Sequence, residues 1–163
     1  MRMPGWYDIT DFSDLAQKSA DEEGILRSRE YIRSLIRAET VEKKIPSSRV
    51  IVGGFSQGAA VAVLTGLTSK EPLGGVFGLS GYLLLGEKVP SLVPEGVDKK
   101  ALKIFMGHGE DDPLVKFEWG RMSAAKLREW GWDVEFKSYK DLGHSVDLKE
   151  MDDLEAWLKA RLA

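Results

Sequence analysis

The chain of 163 residues has 23 basic and 26 acidic residues, a formal net charge of −3, two histidines and no cysteine. Its hydrophobic fraction of 43% and charged fraction of 30% are typical of one folded globular domain and exclude a disordered, collagen-like or coiled-coil protein. The missing cysteines exclude a disulfide scaffold, a thiolate zinc site and a cysteine nucleophile, and no basic run is dense enough to predict nucleic acid as a partner.

Membrane and metal binding find no support in the sequence either. No stretch approaches the roughly 18 apolar residues that a membrane helix requires, and the start of the chain has no apolar run of signal-peptide length. Two histidines are too few for a His-rich metal site. We therefore expect a cytoplasmic protein with no transmembrane segment and no bound metal.

Helix-like and strand-like segments alternate along the chain. In order they are helix 21–43, strand 49–55 (apolar, as if covered on both faces), helix 57–69, strand 75–80, an irregular excursion at 81–101, strand 102–106, helix 117–130, strand 133–139 and helix 147–162. This order predicts an α/β fold, in which helices flank a mostly parallel sheet and the functional site lies at the carboxyl ends of the strands.

The last helix shows the clearest amphipathic pattern. One face is predicted to be apolar and to pack on the sheet; it comprises Leu148, Met151, Leu154, Trp157 and Leu158. The charged residues at 149–153 are predicted to lie on a solvated face of the same helix.

A candidate nucleophile lies where the first predicted strand gives way to a helix. Residues 54–58 match G-x-S-x-G, which in a strand–turn–helix setting holds a serine, here Ser56, in a strained turn. Gly54 and Gly58 lack side chains, which lets the strand and the helix approach closely. The same turn directs the backbone N–H of Gln57, at the positive end of the helix, toward a developing oxyanion.

A serine nucleophile needs a base, and two histidines compete for that role. His144 lies in a loop after strand 133–139, where the base of such a site belongs. His108 follows strand 102–106 between two glycines, a pattern that favours a close-packed turn and a role in shaping the neighbouring acidic loop. Ser80 also follows a buried strand, but the glycines around it have the wrong spacing for a nucleophile turn.

The orienting acid is predicted to come from the carboxylates at residues 110–112. Pro113 restricts the residue before it to an extended conformation, which favours Asp112; a simple turn and helix start is the alternative. Ser56, Asp112 and His144 occur in the order nucleophile, acid, base, with one helix and one strand between the last two. Three loops at one sheet edge together predict a Ser-His-Asp site.

These motifs together resemble the acyl-protein thioesterase/carboxylesterase family of α/β-hydrolases, from about residue 3 to the end. The matching segments are 4–8 (P-x-W-[FY]-D), 49–60 (the nucleophile block), 79–83 (S-G-[YW]-L), 108–115 (H-G-x-x-D-P-x-V) and 143–145 (the base loop). The resemblance implies a partial α/β-hydrolase domain over residues 1–163 with the triad Ser56, Asp112 and His144. It also implies hydrolysis, without a cofactor, of fatty-acyl thioesters or esters: S-acyl (palmitoyl) proteins, lysophospholipids or small esters.

Two apolar groups are candidate contacts for the acyl chain. Trp6, which we expect near the nucleophile turn, is a candidate wall of the pocket, and the family resemblance implies an acyl pocket at Tyr82, Leu83 and Leu84. For both groups, packing in the core is the alternative interpretation.

One part of the family pattern has no counterpart in the sequence. Family members carry, before the W-[FY]-D segment, the first strands of the sheet and an H-G-x-G-D loop with a second oxyanion donor, so the sequence resembles an amino-terminally truncated member. We expect residues 49–54 to form an exposed edge strand, which favours pairing with another chain. The alternative function is therefore a weakly active or inactive domain that binds acyl groups or forms a homodimer through this edge.

Overall fold

The computed structural model describes residues 5–9 and 21–162, so Pro4 and the outer limits of the predicted 1–163 domain lie outside the described residues. The elements are α1 (Glu22–Arg37), β1 (Ile51–Phe55), α2 (Gln57–Leu67), β2 (Gly75–Leu79), α3 (Val89–Leu92), β3 (Lys103–Gly109), α4 (Phe117–Glu129), β4 (Asp133–Tyr139) and α5 (Leu148–Leu162). The four strands form one parallel sheet in the order β1-β2-β3-β4, which confirms the predicted α/β architecture.

Helix α1 begins within one residue of its predicted start, but its α-helical part ends at Arg37 and not at residue 43. The Asp21 side chain accepts a hydrogen bond of 2.9 Å from Gly24 N, and acidic residues occupy the first turn, where the helix dipole favours negative charge. A π-helical turn at Ala38–Glu42 extends the helix, and a 3₁₀ turn at Ser47–Arg49 leads into β1. In the described part of the chain, no helix is long and apolar enough to cross a bilayer.

The sheet carries apolar side chains on both faces, and β3 shows the alternation most clearly. Ile104 and Met106 join the larger core, which α1, α2 and α4 cover, whereas Phe105 faces Leu154 and Trp157 of α5. Phe105 has no exposed surface, and burying such a side chain contributes about 1.5–3 kcal/mol. Helices on both faces thus pack against the strands whose carboxyl ends form the site.

Strand β1 is an edge strand of the sheet that the described residues form, as predicted. Its predicted cover on both faces is wrong, since Gly53 and Phe55 are exposed. An apolar run without alternation is typical of a central strand, but here glycines replace two of the side chains that would need cover.

Helix α5 is present, but part of its predicted apolar face is wrong. Leu154 and Trp157 are buried, whereas Leu148 and Met151 are 84% and 43% exposed. Glu150, which was predicted to be solvated, has no exposed surface. The Asp147 side chain accepts from Glu150 N at 2.7 Å, and this cap sets the first turn so that the Glu150 side chain faces the sheet.

Candidate active site

Ser56 occupies a strained turn between β1 and α2. Its φ of 55° is unusual for a residue other than glycine and costs about 1–3 kcal/mol, which the surrounding structure must offset. Ser56 N donates a hydrogen bond of 2.8 Å to Leu79 O, the last residue of β2. The turn is therefore tied to the neighbouring strand.

The two glycines of the G-x-S-x-G motif have different neighbours. A Cβ on Gly54 would lie 2.5 Å from the carbonyl carbon of Gly58, so the close approach of β1 and α2 requires a glycine there. A Cβ on Gly58 would meet Trp6 Nε1 at 3.3 Å. Gly58 therefore makes room for Trp6, not for the strand.

Ser56, His144 and Asp112 converge at the carboxyl edge of the sheet. His144 Nε2 lies 2.9 Å from Ser56 Oγ, and His144 Nδ1 lies 2.7 Å from Asp112 Oδ2. A carboxylate oxygen accepts, so Nδ1 carries the proton and donates it; Nε2 is then free to accept from the Ser56 hydroxyl. This arrangement lets His144 take the proton of Ser56.

The carboxylate of Asp112 is buried and fully engaged. Its side chain has 0% exposed surface, whereas that of His144 is 15% exposed. Asp112 Oδ1 accepts from Leu114 N and Val115 N, both at 2.9 Å, which leaves Oδ2 for His144. Backbone donors thus compensate the loss of water around the charge.

The loops that carry Asp112 and His144 pack directly on each other. Asp111 N donates to Leu142 O at 3.0 Å, and Glu110 N donates to Tyr139 O at 2.8 Å. A Cβ on Gly109 would lie 2.2 Å from Leu142 O, so this contact requires a glycine. The separation of acid and base is therefore set by backbone contacts.

His108 is not placed as a base, and its predicted position in a turn is wrong. Strand β3 continues through Gly109, and His108 pairs with Ser138 of β4. Its ring is 1% exposed and its Nε2 donates to Val115 O at 2.8 Å. Burial lowers the pKa of His108 and thereby favours the neutral ring. The flanking glycines make room for neighbours of a strand instead of forming a turn.

Ser80 does not take part in the converging group. Its side chain is fully buried, and its hydroxyl has no hydrogen-bond partner among the described residues. Ser80 N donates to Gly107 O at 2.9 Å, which continues the pairing of β2 with β3. The geometry thus favours Ser56 over Ser80.

Gln57 contributes both backbone and side chain. It is the first residue of α2, and the N–H groups of the first turn of a helix have no acceptor within that helix. Its side chain holds the 5–9 segment: Oε1 accepts from Trp6 N at 2.8 Å, and Nε2 donates to Tyr7 O at 2.7 Å. Sequence reasoning missed this second role, although Gln57 is part of the matched nucleophile block.

The predicted substrate contacts differ in exposure. Trp6 is 39% exposed and lines a cleft of about 240 Å³ beside the Ser56 turn, together with Phe55. Tyr82, Leu83 and Leu84 are all at most 9% exposed and belong to the larger core.

Within that group, Leu83 lines a cavity. It borders a cleft of about 620 Å³ next to α4, and its N–H donates to Ser123 Oγ at 2.9 Å. The Tyr82 hydroxyl lies 2.7 Å from the Tyr7 hydroxyl, and Leu84 has no exposed surface. This packing agrees better with the alternative interpretation, in which Tyr82, Leu83 and Leu84 are part of the core. Their contact with substrate stays a prediction.

Known proteins of similar sequence and structure indicate the family of the chain. The sequence profile of the phospholipase/carboxylesterase family matches residues 1–162. Acyl-protein thioesterase 1 of Aspergillus fumigatus is 49% identical over 98% of this chain and 68% of its own length, and that of Neurospora crassa is 44% identical over 99% and 67%. The crystal structure of Arabidopsis thaliana SOBER1 superposes with a TM-score of 0.85 at 34% identity, covering 98% of this chain and 74% of that one. Acyl-protein thioesterase 2 of Zea mays gives 0.83 at 28%, covering 98% and 73%.

Proposed function

The chain belongs to the phospholipase/carboxylesterase family of α/β-hydrolases, and we propose that it hydrolyses fatty-acyl thioesters and esters with Ser56 as nucleophile, His144 as base and Asp112 as orienting acid. The observation that supports this proposal most directly is the unbroken hydrogen-bond path from Ser56 Oγ through His144 to Asp112, with lengths of 2.9 and 2.7 Å. No cofactor is needed for the chemistry of such a path.

The reaction proceeds in two halves. Ser56 Oγ attacks the substrate carbonyl carbon while its proton moves to His144 Nε2, and Asp112 stabilises the imidazolium that forms. The Gln57 N–H stabilises the negative charge on the carbonyl oxygen. The intermediate collapses with cleavage of the C–S or C–O bond, and His144 returns the proton to the leaving thiolate or alkoxide. Water, activated by His144, then attacks the acyl-enzyme and releases the free acid and Ser56.

The substrate that we favour is an S-fatty-acylated protein, with lysophospholipids and small esters as alternatives of the same chemistry. The names of the relatives, acyl-protein thioesterase, support this choice. Trp6 and Phe55, each 39% exposed beside the nucleophile turn, offer an apolar surface to an acyl chain.

Turnover of an S-acyl peptide tests this proposal. Wild-type protein is expected to release free thiol, and Ser56→Ala is expected to lower kcat by at least about 10³-fold because the nucleophile is lost. Ser80→Ala is the matched control, since Ser80 is buried and lies outside the hydrogen-bond path. Equal turnover by wild type and Ser56→Ala would contradict the assignment.

We further propose that two copies of the chain associate through β1. The supporting observation is that β1 is an edge strand of the described sheet with Phe55 exposed, and such an edge offers unpaired backbone groups to another strand. Light scattering over a concentration series is expected to give the mass of a dimer. A monomer at all concentrations would contradict it, and a dimer without turnover would favour the binding-domain alternative.

A further inference from the structure

The direction of the Asp112 carboxylate depends on the backbone of its own loop. Its Oδ1 accepts from Leu114 N and Val115 N, each at 2.9 Å. Both donors belong to the segment that follows Asp112, where the chain has left β3 and has not yet entered α4. A shift of this segment therefore turns the carboxylate away from His144.

His108 holds the same segment from inside the sheet. Its Nε2 donates to Val115 O at 2.8 Å, and this atom also lies 3.5 Å from Asp112 Oδ2. Because His108 is part of β3, the strand fixes the position of its side chain, whereas Val115 is part of a loop. The hydrogen bond thus connects the loop that carries the acid to a strand of the sheet.

Helix α4 fixes the orientation of the His108 ring. A Cβ on Gly120 would lie 2.2 Å from His108 Nδ1, so the ring fills the space that a side chain would take. The ring of Phe117 packs edge-on against the imidazole, with centroids 6.0 Å apart. The ring has one orientation in which Nε2 meets Val115 O.

His108 acts in this place as a neutral donor. Burial lowers its pKa, and the ionisable groups that face it are Asp112 and His144. A neutral imidazole with its proton on Nε2 donates to the carbonyl without placing a second positive charge beside His144.

We propose that His108 is a positioning residue that holds the Val115 backbone and thereby directs Asp112 toward His144. The proposal rests on the proposed function, since it gives His108 a part in the reaction that Asp112 and His144 carry out. Without the His108 donor, Asp112 turns away from His144, and the imidazolium of His144 loses its partner.

Two amide variants of His108 isolate the hydrogen bond. In His108→Gln the side-chain amide reaches the place of Nε2, whereas in His108→Asn it reaches only the place of Nδ1. The variants share polarity and differ by one methylene. In both variants His144 is the only histidine left, so its imidazole signals in an NMR spectrum are unambiguous.

The first readout is the NMR signal of the His144 Nδ1 proton, which reports the hydrogen bond to Asp112 and needs no turnover. In His108→Asn this signal is expected to be lost to exchange with water, because Nδ1 no longer has the carboxylate that accepts its proton. His108→Gln is expected to keep the wild-type signal. A folded His108→Asn protein with the wild-type signal would overturn the proposal, as would a His108→Gln protein that behaves like His108→Asn.

The second readout is turnover, normalised to the concentration of labelled nucleophile. His108→Asn is expected to lower kcat by about 10- to 100-fold with little change in KM, because a small misplacement of the acid affects the transition state and not binding. An unchanged kcat would overturn the proposal. Should wild type show no turnover that depends on Ser56, the proposed function fails, while the NMR result still decides the role of His108.

A third variant covers the case in which His108→Asn does not fold. Gly120→Ala leaves the imidazole intact and displaces it from the side of α4. It is expected to weaken the NMR signal of the His144 Nδ1 proton and to lower kcat. A wild-type signal and a wild-type kcat in folded Gly120→Ala would overturn the proposal.

Discussion

Replacing Glu150 by Gln is expected to make the protein more stable at pH 8 by about 3 kcal/mol. The Glu150 side chain has no exposed surface, and neither carboxyl oxygen has a hydrogen-bond partner among the described residues. Burial, followed by the nearby charge of Asp147, raises the pKa of Glu150 from 4.5 to about 7. Each pH unit of this difference corresponds to about 1.4 kcal/mol, which gives the value above.

The sign of the effect follows from the raised pKa. In the unfolded chain Glu150 loses its proton near pH 4.5, whereas the folded protein keeps it until about pH 7. The stability that the protonated form contributes is therefore complete below pH 4.5, falls as the pH rises toward 7, and is absent above it. The amide of Gln has the same shape and no charge, so Glu150→Gln removes this loss.

The groups around Glu150 determine whether its ionisation alone accounts for the change in stability. Asp147 on the same helix turn and Tyr139 at the end of β4 face it, and Gly107 of β3 lies against its Oε1, where a Cβ would be 2.4 Å away. Neither Gly107 nor the adjoining Leu79 carries a charge. The charge of Asp147 acts in the same direction as burial, since both raise the pKa of Glu150.

Urea unfolding at pH 4.5 and at pH 8 measures the prediction. Glu155→Gln is the matched control, because Glu155 is on the same helix with 62% of its side chain exposed. We expect Glu150→Gln to exceed wild type at pH 8 and to match it near pH 4.5, with Glu155→Gln within about 0.5 kcal/mol of wild type at both. A gain at pH 8 no larger than that of the control would refute the reasoning.

Two substitutions test other contacts of the site. Gly54→Ala places a Cβ 2.5 Å from the Gly58 backbone, and we expect it to lower the free energy of unfolding by about 2 kcal/mol or more in a thermal melt and to reduce labelling of Ser56. Gly86→Ala is the control, because its Cβ would meet Leu83 Cδ2 at 3.7 Å, and it is expected to change neither quantity. Trp6→Ala is expected to raise KM for a long-chain thioester by about tenfold and to leave acetyl thioester turnover within about threefold, since it removes apolar contact with the chain alone; equal effects on both substrates would contradict that role.

The order of the elements and the three converging side chains were predictable from the sequence. Parallel strands end at one edge, so residues that follow successive strands meet there whatever the details of packing. The nucleophile turn was recognisable because Gly54 is required by a backbone contact that any such turn makes. These features depend on chain order and local sterics, which a sequence displays.

What could not be predicted depends on contacts between distant segments. The glycines around His108 indicate a turn in isolation, yet they accommodate Leu142 and Glu150, which come from later parts of the chain. The same is true of Glu150, whose charge predicts solvent and whose burial follows from the helix cap at Asp147 and the space above Gly107. Local patterns carry no information on such pairs.

Covalent labelling with a fluorophosphonate probe, mapped by mass spectrometry, tests the central claim most directly. The probe is expected to modify Ser56 alone among the serines, and Asp112→Asn is expected to slow the modification by about 10³-fold or more because His144 no longer takes the proton. Folded protein that the probe leaves unmodified at Ser56, or modifies equally fast in Asp112→Asn, would contradict it.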